Sequence, residues 1–411
     1  MPHANVCDNI ERFEAEGVGL VMSSERSDKH NNAKINLGYL DGLRGILCIL
    51  VLIEHCINFY KPDIRFTELE GITGLVRRLI ISTPLNIMYN GDVAVYIFFA
   101  LSGFVLSLSF NRSKNHDVIL SGVIKRYPRI MLPVAGSMVL MYVVMLFIDT
   151  YVGQAFGLQL FNVVEQVFYK IPFTHSILTN YPLWSMSYEL YGSLLVFSLL
   201  AIFGRSKHRI LFYSMVMVYF MVSLNQAHQD IFEYSTYYAL FVFGMIMSDI
   251  TNGGAFKINP YIRLAMFSIG LYLATIPLPR ENIAQYIGAY TYLKVFDGFS
   301  YMQVSITIGV IGSMILFASI IDSNVAMKFL STNVVRFLGN ISFPLYLNHA
   351  IVIYVISYVL HKKYEQIGIV EFIIATCLTI LISVPIAYLF EKFIDAPSIR
   401  ASNKLSKLIC K

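Results

Sequence analysis

Ten apolar segments, each bounded by polar or charged residues, recur along this chain and decide its fold class. They lie near residues 45–60, 91–110, 130–147, 183–203, 210–224, 237–248, 264–276, 304–321, 342–360 and 370–390. A run of about 20 apolar residues spans a bilayer core as a helix. The composition agrees. Of 411 residues 56% are hydrophobic and only 14% charged, whereas a soluble domain carries about a quarter charged residues. Mean hydropathy is +0.61. The expected fold is all-α: a polytopic, multi-pass integral membrane bundle of about ten transmembrane helices.

Orientation follows from lysine and arginine, which favour the cytoplasmic side of a membrane. With the N-terminus inside, segments 1–44, 111–129, 204–209, 249–263, 322–336 and 392–411 are internal and hold 22 of the 31 Lys and Arg residues. Both termini are therefore expected in the cytoplasm, and the net charge of +5 requires no nucleic-acid partner. Residues 1–36 read as a polar, flexible tail without a cleavable signal peptide, 37–397 as the transmembrane domain, and 398–411 as a basic tail. The five cysteines show no paired spacing, so neither a disulfide framework nor a zinc or other metal site is expected. There is no internal repeat.

Ionisable residues inside such spans are costly and mark function by default. Arg44 and His55 lie in the first segment, eleven residues and about three turns apart, on one helix side and about 16 Å from each other along the axis. An arginine at a span's start can simply snorkel to the interface. His55 is harder to explain that way, since an imidazole is the side chain best matched to proton transfer near neutral pH. In Lys125-Arg126-Tyr127-Pro128-Arg129, just before the third span, positive-inside bias competes with an anion site built from Arg126 and Arg129. Entering the fourth span, Trp184 reads as an interfacial aromatic, but Glu189 needs a partner within the membrane. Ser102 and Gly103 fit close helix packing, and His349, a second histidine within a span, fits a hydrogen-bonded structural role.

In combination these blocks resemble the acyltransferase 3 family over about residues 38–397. Leu40-Asp41-Gly42-Leu43-Arg44-Gly45 with His55 is similar to the family's arginine, ten residues, histidine signature, and Arg126-Tyr-Pro-Arg129 to its paired-arginine loop. Phe98-Phe99-Ala-Leu-Ser102-Gly103-Phe104, Leu183-Trp184-Ser185-Met-Ser187-Tyr188-Glu189 and Ile341-Ser342-Phe-Pro344-Leu-Tyr346-Leu-Asn348-His349 resemble three further blocks. Glu391-Lys392 through Pro397 is similar to the family's ending. Two positions depart from the pattern: Pro344 stands for a small residue, and Asn348 for the usual tryptophan.

The resemblance implies an O-acyltransferase that moves an acyl group, commonly acetyl, from cytosolic acyl-coenzyme A to a hydroxyl of a carbohydrate, glycolipid or lipid-linked glycan. Arg44, Arg126 and Arg129 would then hold the donor's phosphates, and His55 would act as general base or, in the alternative, take the acyl group itself. Glu54 or Glu189 would orient the imidazole, and Trp184, Ser187 and Tyr188 would line the acceptor side. Asp41, Ser102 and His349 would give support. The rival reading is a secondary transporter of an anionic or glycosylated molecule, which predicts inverted repeats or paired broken spans. A scaffold without chemistry would leave the intramembrane ionisable residues without a purpose.

Overall fold

The computed structural model describes residues 38–66, 71–153, 156–174, 179–223, 232–252, 257–277 and 286–410, which are helical with no strand among them. Eleven helices organise these residues: α1 (Gly38–Tyr60), α2 (Gly91–Ser113), α3 (His116–Val152), α4 (Ser185–Phe203), α5 (Arg209–Val222), α6 (Phe232–Asn252), α7 (Pro260–Ala274), α8 (Tyr301–Ile320), α9 (Ser342–Lys363), α10 (Ile369–Phe390) and α11 (Ala396–Ile409). Each apolar segment falls on one of the first ten, to within a few residues. Among the described residues six helical stretches are long and apolar enough to cross a membrane: Gly91–Ser113, His116–Tyr151, Tyr181–Phe203, Tyr301–Ile320, Ser342–Lys363 and Ile369–Ile409. Arg209–Val222 and Pro260–Ala274 are apolar but shorter. Among the described residues α1 and α6 are in neither set, and α1 carries Asp41, Arg44 and Glu54.

The segment expected as an internal loop before the third span is itself helical. Asn115 caps α3 by accepting a hydrogen bond from the Asp117 amide at 3.0 Å. The helix then runs through Pro128 and Pro133, each of which removes one ladder hydrogen bond without ending it. Lys125, Arg126 and Arg129 therefore ride on consecutive turns of a long helix. Residues 398–409 of the expected basic tail also belong to a helix. There Ser398, Ser402 and Ser406 form a buried stripe at i, i+4, i+8, and Ser406 Oγ donates to Ser121 Oγ of α3 at 3.0 Å. The expected N-terminal tail, 1–36, lies outside the described residues.

Two close approaches set the frame of the bundle. Where α2 crosses α6, a Cβ on Gly103 would overlap the Phe241 carbonyl oxygen, and one on Gly244 the Ala100 carbonyl oxygen. Apolar helices in lipid gain little from hydrophobic burial against each other, so small residues that bring backbones together supply the contact. At the start of α1, Gly42 and Gly45 face the segment ending in the short helix Asn333–Asn340, where a Cβ on Gly42 would meet the Leu330 carbonyl and one on Gly45 the Gly339 amide. Those glycines turn one side of α1 into a backbone contact. Asp41 and Arg44, also spaced i, i+3, line a cavity instead.

Candidate active site

The cavity has a volume of about 710 Å³. Along α2 its lining runs from Val95 to Arg112, about 26 Å of helix at 1.5 Å per residue. Five basic side chains line it: Arg44 from α1, Arg112 from the last turn of α2, and Lys125, Arg126 and Arg129 from α3. The carboxylates of Asp41, Glu189, Glu391 and Asp395 stand among them. Lys114, also from the basic segment 111–129, turns instead toward Asp249, with Nζ 3.5 Å from the carboxylate. Burial lowers the Lys114 ammonium below its usual range, and Asp249 opposes that shift.

The arginines differ in how tightly they are held. Arg44 Nη1 donates to Asp41 Oδ1 at 2.7 Å, and both side chains remain partly exposed to the cavity. Arg126 is clamped on α4, donating from Nε to Ser193 Oγ at 2.8 Å and from Nη2 to Glu189 Oε1. The same Glu189 oxygen accepts from Ser102 Oγ at 2.7 Å. The intramembrane carboxylate thus has partners on α2 and α3. They are Ser102 and Arg126, not the His55 imidazole it was expected to orient.

His55 is half-buried, is not among the residues lining the cavity, and contacts a residue far away in the chain. Its Nδ1 lies 2.8 Å from Nε2 of His349, with the two rings nearly parallel at 7°. His349 is fully buried, and its Nδ1 lies 2.9 Å from the Leu345 carbonyl oxygen one turn earlier. Tyr181 packs edge-on against the His55 ring at 4.6 Å between centroids. Tyr346 links this group to the cavity. It lines the cavity, its ring centre lies 6.0 Å from that of His349, and its hydroxyl bonds Ser185 Oγ at 2.8 Å and the Pro182 carbonyl at 3.0 Å.

Glu54 follows a different course from its neighbour in sequence. Consecutive helical residues point about 100° apart, so Glu54 and His55 face different sides of α1. The Glu54 carboxylate accepts from Arg65 Nη1 at 2.8 Å and packs against Gly91, the first residue of α2, where a helix favours negative charge. Arg65 also donates to Asn58 Oδ1 at 3.1 Å and lies 5.3 Å from the centre of the Tyr89 ring. The Arg65 carbonyl accepts from Arg77 Nη2 at 2.7 Å. This is a buried staple at the far end of α1.

Trp184, Ser187 and Tyr188 do not line the cavity. Trp184 and Tyr188 pack with Tyr237 at centroid distances of 5.7 and 5.1 Å, inside an aromatic core between α2, α4 and α6. The Ser187 hydroxyl donates back to the Trp184 carbonyl at 3.1 Å. The departure at Pro344 and Asn348 has a local account: Pro344 sits in the first turn of α9, where proline is tolerated, and Asn348 Nδ2 donates to its carbonyl at 2.8 Å. Tyr346 and Ser185 stand in the sequence blocks named above but have no role assigned from them, and Tyr181, Arg112 and the buried Arg65 were passed over. Only Tyr346 carried a usable signal, since its i, i+3 spacing from His349 places both on one side of α9.

A family model described as an acyltransferase domain, Acyl_transf_3, matches residues 37–388. No curated protein and no solved structure matches the chain.

Proposed function

We propose, from the premise that this chain belongs to the acyltransferase 3 family and is an acyltransferase of the membrane, that it moves an acetyl group from acyl-coenzyme A to a hydroxyl of a carbohydrate or glycolipid. The observation that carries this reading is the cavity, whose lining gathers five cationic side chains and also includes Tyr346, with its ring centre 6.0 Å from that of His349. A donor with several phosphates at one end and a thioester at the other matches that polarity. Arginine favours phosphate because its planar fork donates two parallel hydrogen bonds. With the N-terminus in the cytoplasm, the cationic end opens toward the compartment that supplies acyl-coenzyme A.

In the reaction His55 takes the proton of the acceptor hydroxyl as its oxygen attacks the thioester carbonyl carbon. The tetrahedral adduct then collapses, the carbon–sulfur bond breaks, and the sulfur takes the proton back from His55. The products are an O-acyl ester and free coenzyme A, with no redox change and no metal. Arg44, Arg126 and Arg129 hold the donor, with Arg112 and Lys125 beside them, while Asp41 positions Arg44, and Ser102 positions Glu189, the partner of Arg126. The acceptor hydroxyl and the thioester carbon meet at Tyr346, where the cavity lining adjoins the histidine pair.

Isolated membranes given labelled acetyl-coenzyme A and a mixture of extracted glycans and lipids test the reading. His55→Ala should lower transfer by about 10²–10⁴-fold, the usual contribution of a general base. Full transfer by that variant would remove His55 from the mechanism. A wild-type protein that neither transfers acetyl groups nor is stabilised by acetyl-coenzyme A would remove the donor assignment.

A further inference from the structure

We infer that His349 is a positioning residue that fixes the tautomer of His55, holding the Nδ1 hydrogen in place so that Nε2 is the basic nitrogen. The inference deepens the proposed function and rests on it for its catalytic consequence, though not for the hydrogen-bond pattern itself.

The atoms able to accept a hydrogen bond fix the pattern. The Leu345 oxygen, 2.9 Å from His349 Nδ1, is a carbonyl and cannot donate, so His349 Nδ1 carries the hydrogen. A neutral imidazole bears one ring hydrogen, which leaves Nε2 of His349 with a lone pair. That lone pair faces His55 Nδ1 at 2.8 Å, so His55 Nδ1 is the donor. With both rings neutral, the basic nitrogen of His55 is therefore Nε2. The chain runs from His55 through His349 to a backbone carbonyl on α9, each link set by the next.

This arrangement occupies the place that a carboxylate holds in a serine–histidine–aspartate triad, where the third group fixes the tautomer and orientation of the imidazole. The two carboxylates expected there are engaged elsewhere, Glu54 with Arg65 and Glu189 with Arg126. A neutral partner suits a buried site, because a second charge beside the imidazole would have to be desolvated. The 7° angle between the rings and the full burial of His349 hold the geometry on α9, independently of the donor cavity.

Three variants in the full chain decide the question, with folding checked by thermal unfolding in detergent. His349→Leu removes the acceptor and should lower kcat by about 10²–10⁴-fold, as tautomer loss does in the triad enzymes, with the KM for acetyl-coenzyme A unchanged. His349→Gln offers an amide oxygen to the His55 Nδ1 hydrogen and should stay within about tenfold of wild type. The double variant His55→Ala/His349→Leu should be no slower than His55→Ala alone, since groups acting as a unit are not additive. A Gln variant as slow as the Leu variant, or a double variant slower than His55→Ala, would overturn the inference. Should the Leu variant fail to fold, the Gln variant and its double with His55→Ala carry the same decision.

Selective ¹⁵N-histidine labelling reads the tautomer directly, with His55→Asn identifying the resonance. The expected result is a protonated Nδ1 and a bare Nε2 at His55 in the wild type. The opposite pattern overturns the inference even in a protein that transfers nothing, whereas absent transfer with the expected pattern rejects only the reaction.

Discussion

Helix α1 contributes a carboxylate to each of two arginine–carboxylate pairs of nearly equal geometry, one closed within the helix and one made with Arg65 beyond its end, and they behave as different kinds of object. Asp41 and Arg44 meet at 2.7 Å with side chains 17% and 29% exposed, on the wall of the cavity. Glu54 and Arg65 meet at 2.8 Å with side chains 7% and 1% exposed, capped by the Tyr89 ring and backed by the first turn of α2. Distance alone does not separate them; solvent access does. An accessible pair can trade a carboxylate for an incoming phosphate at small cost, because water already screens its charges. A sealed pair cannot, since parting it strands a charge in the interior. The first is therefore suited to hold a ligand, and the second to hold α1 against α2 beside His55.

The largest effect expected from this contrast is at Arg65. Arg65→Met leaves the Glu54 carboxylate buried without its guanidinium, and removal of one partner of a buried pair costs about 3–5 kcal/mol. Thermal unfolding in detergent should show a much-lowered midpoint, and acetyl-coenzyme A should rescue little of it. A midpoint within a degree or two of wild type would show that the two pairs do not differ as their burial indicates.

Arg44→Ala should give the opposite signature. Loss of a partly exposed pair costs under about 1 kcal/mol of stability. Loss of a charge-assisted hydrogen bond to the donor, at about 1.5–3 kcal/mol, should raise the KM for acetyl-coenzyme A by roughly 10- to 150-fold. Screening sharpens the test, because the Debye length is about 10 Å at 0.1 M salt. Added salt should raise KM in the wild type and raise it less in the variant. An unchanged KM with a collapsed stability would exchange the roles of the two pairs.

Part of this contrast is legible in the sequence. Arg44 and His55 share a helix, so their spacing of three turns could be read from the chain alone, and the ten apolar runs located the principal helices. The extent of α3 was not readable in that way, since Pro128 and Pro133 carry the local signature of a loop while lying inside a helix capped at Asn115. Partners brought together by the fold were also hidden. His349 is 294 residues from His55, and nothing local distinguishes that pairing from an ordinary buried histidine. Glu54 misleads in the opposite direction: adjacency to His55 suggests a partner, but the helical turn sends it to Arg65. Trp184 and Tyr188 carry polar tips on large rings and fit a binding surface as well as a core. Only their packing with Tyr237 decides that they lie in the aromatic core.

A third pair falls between the two extremes and yields the smallest expected effect. Arg126 and Glu189 are 12% and 19% exposed, line the same cavity as Arg44, and share their carboxylate with the Ser102 hydroxyl. Ser102→Ala removes one donor while leaving the ion pair and the neighbouring Gly103 crossing intact. The cost should match one hydrogen bond, about 0.5–1.5 kcal/mol, with donor KM moving less than about threefold. Glu189→Gln goes a step further, weakening the clamp on Arg126 and leaving its charge more available to an anion, so the donor KM should stay level or fall. If instead either substitution destabilises the protein as much as Arg65→Met, then Arg126 is a staple like Arg65. The donor's phosphates would then be left to Arg44, Arg129, Arg112 and Lys125.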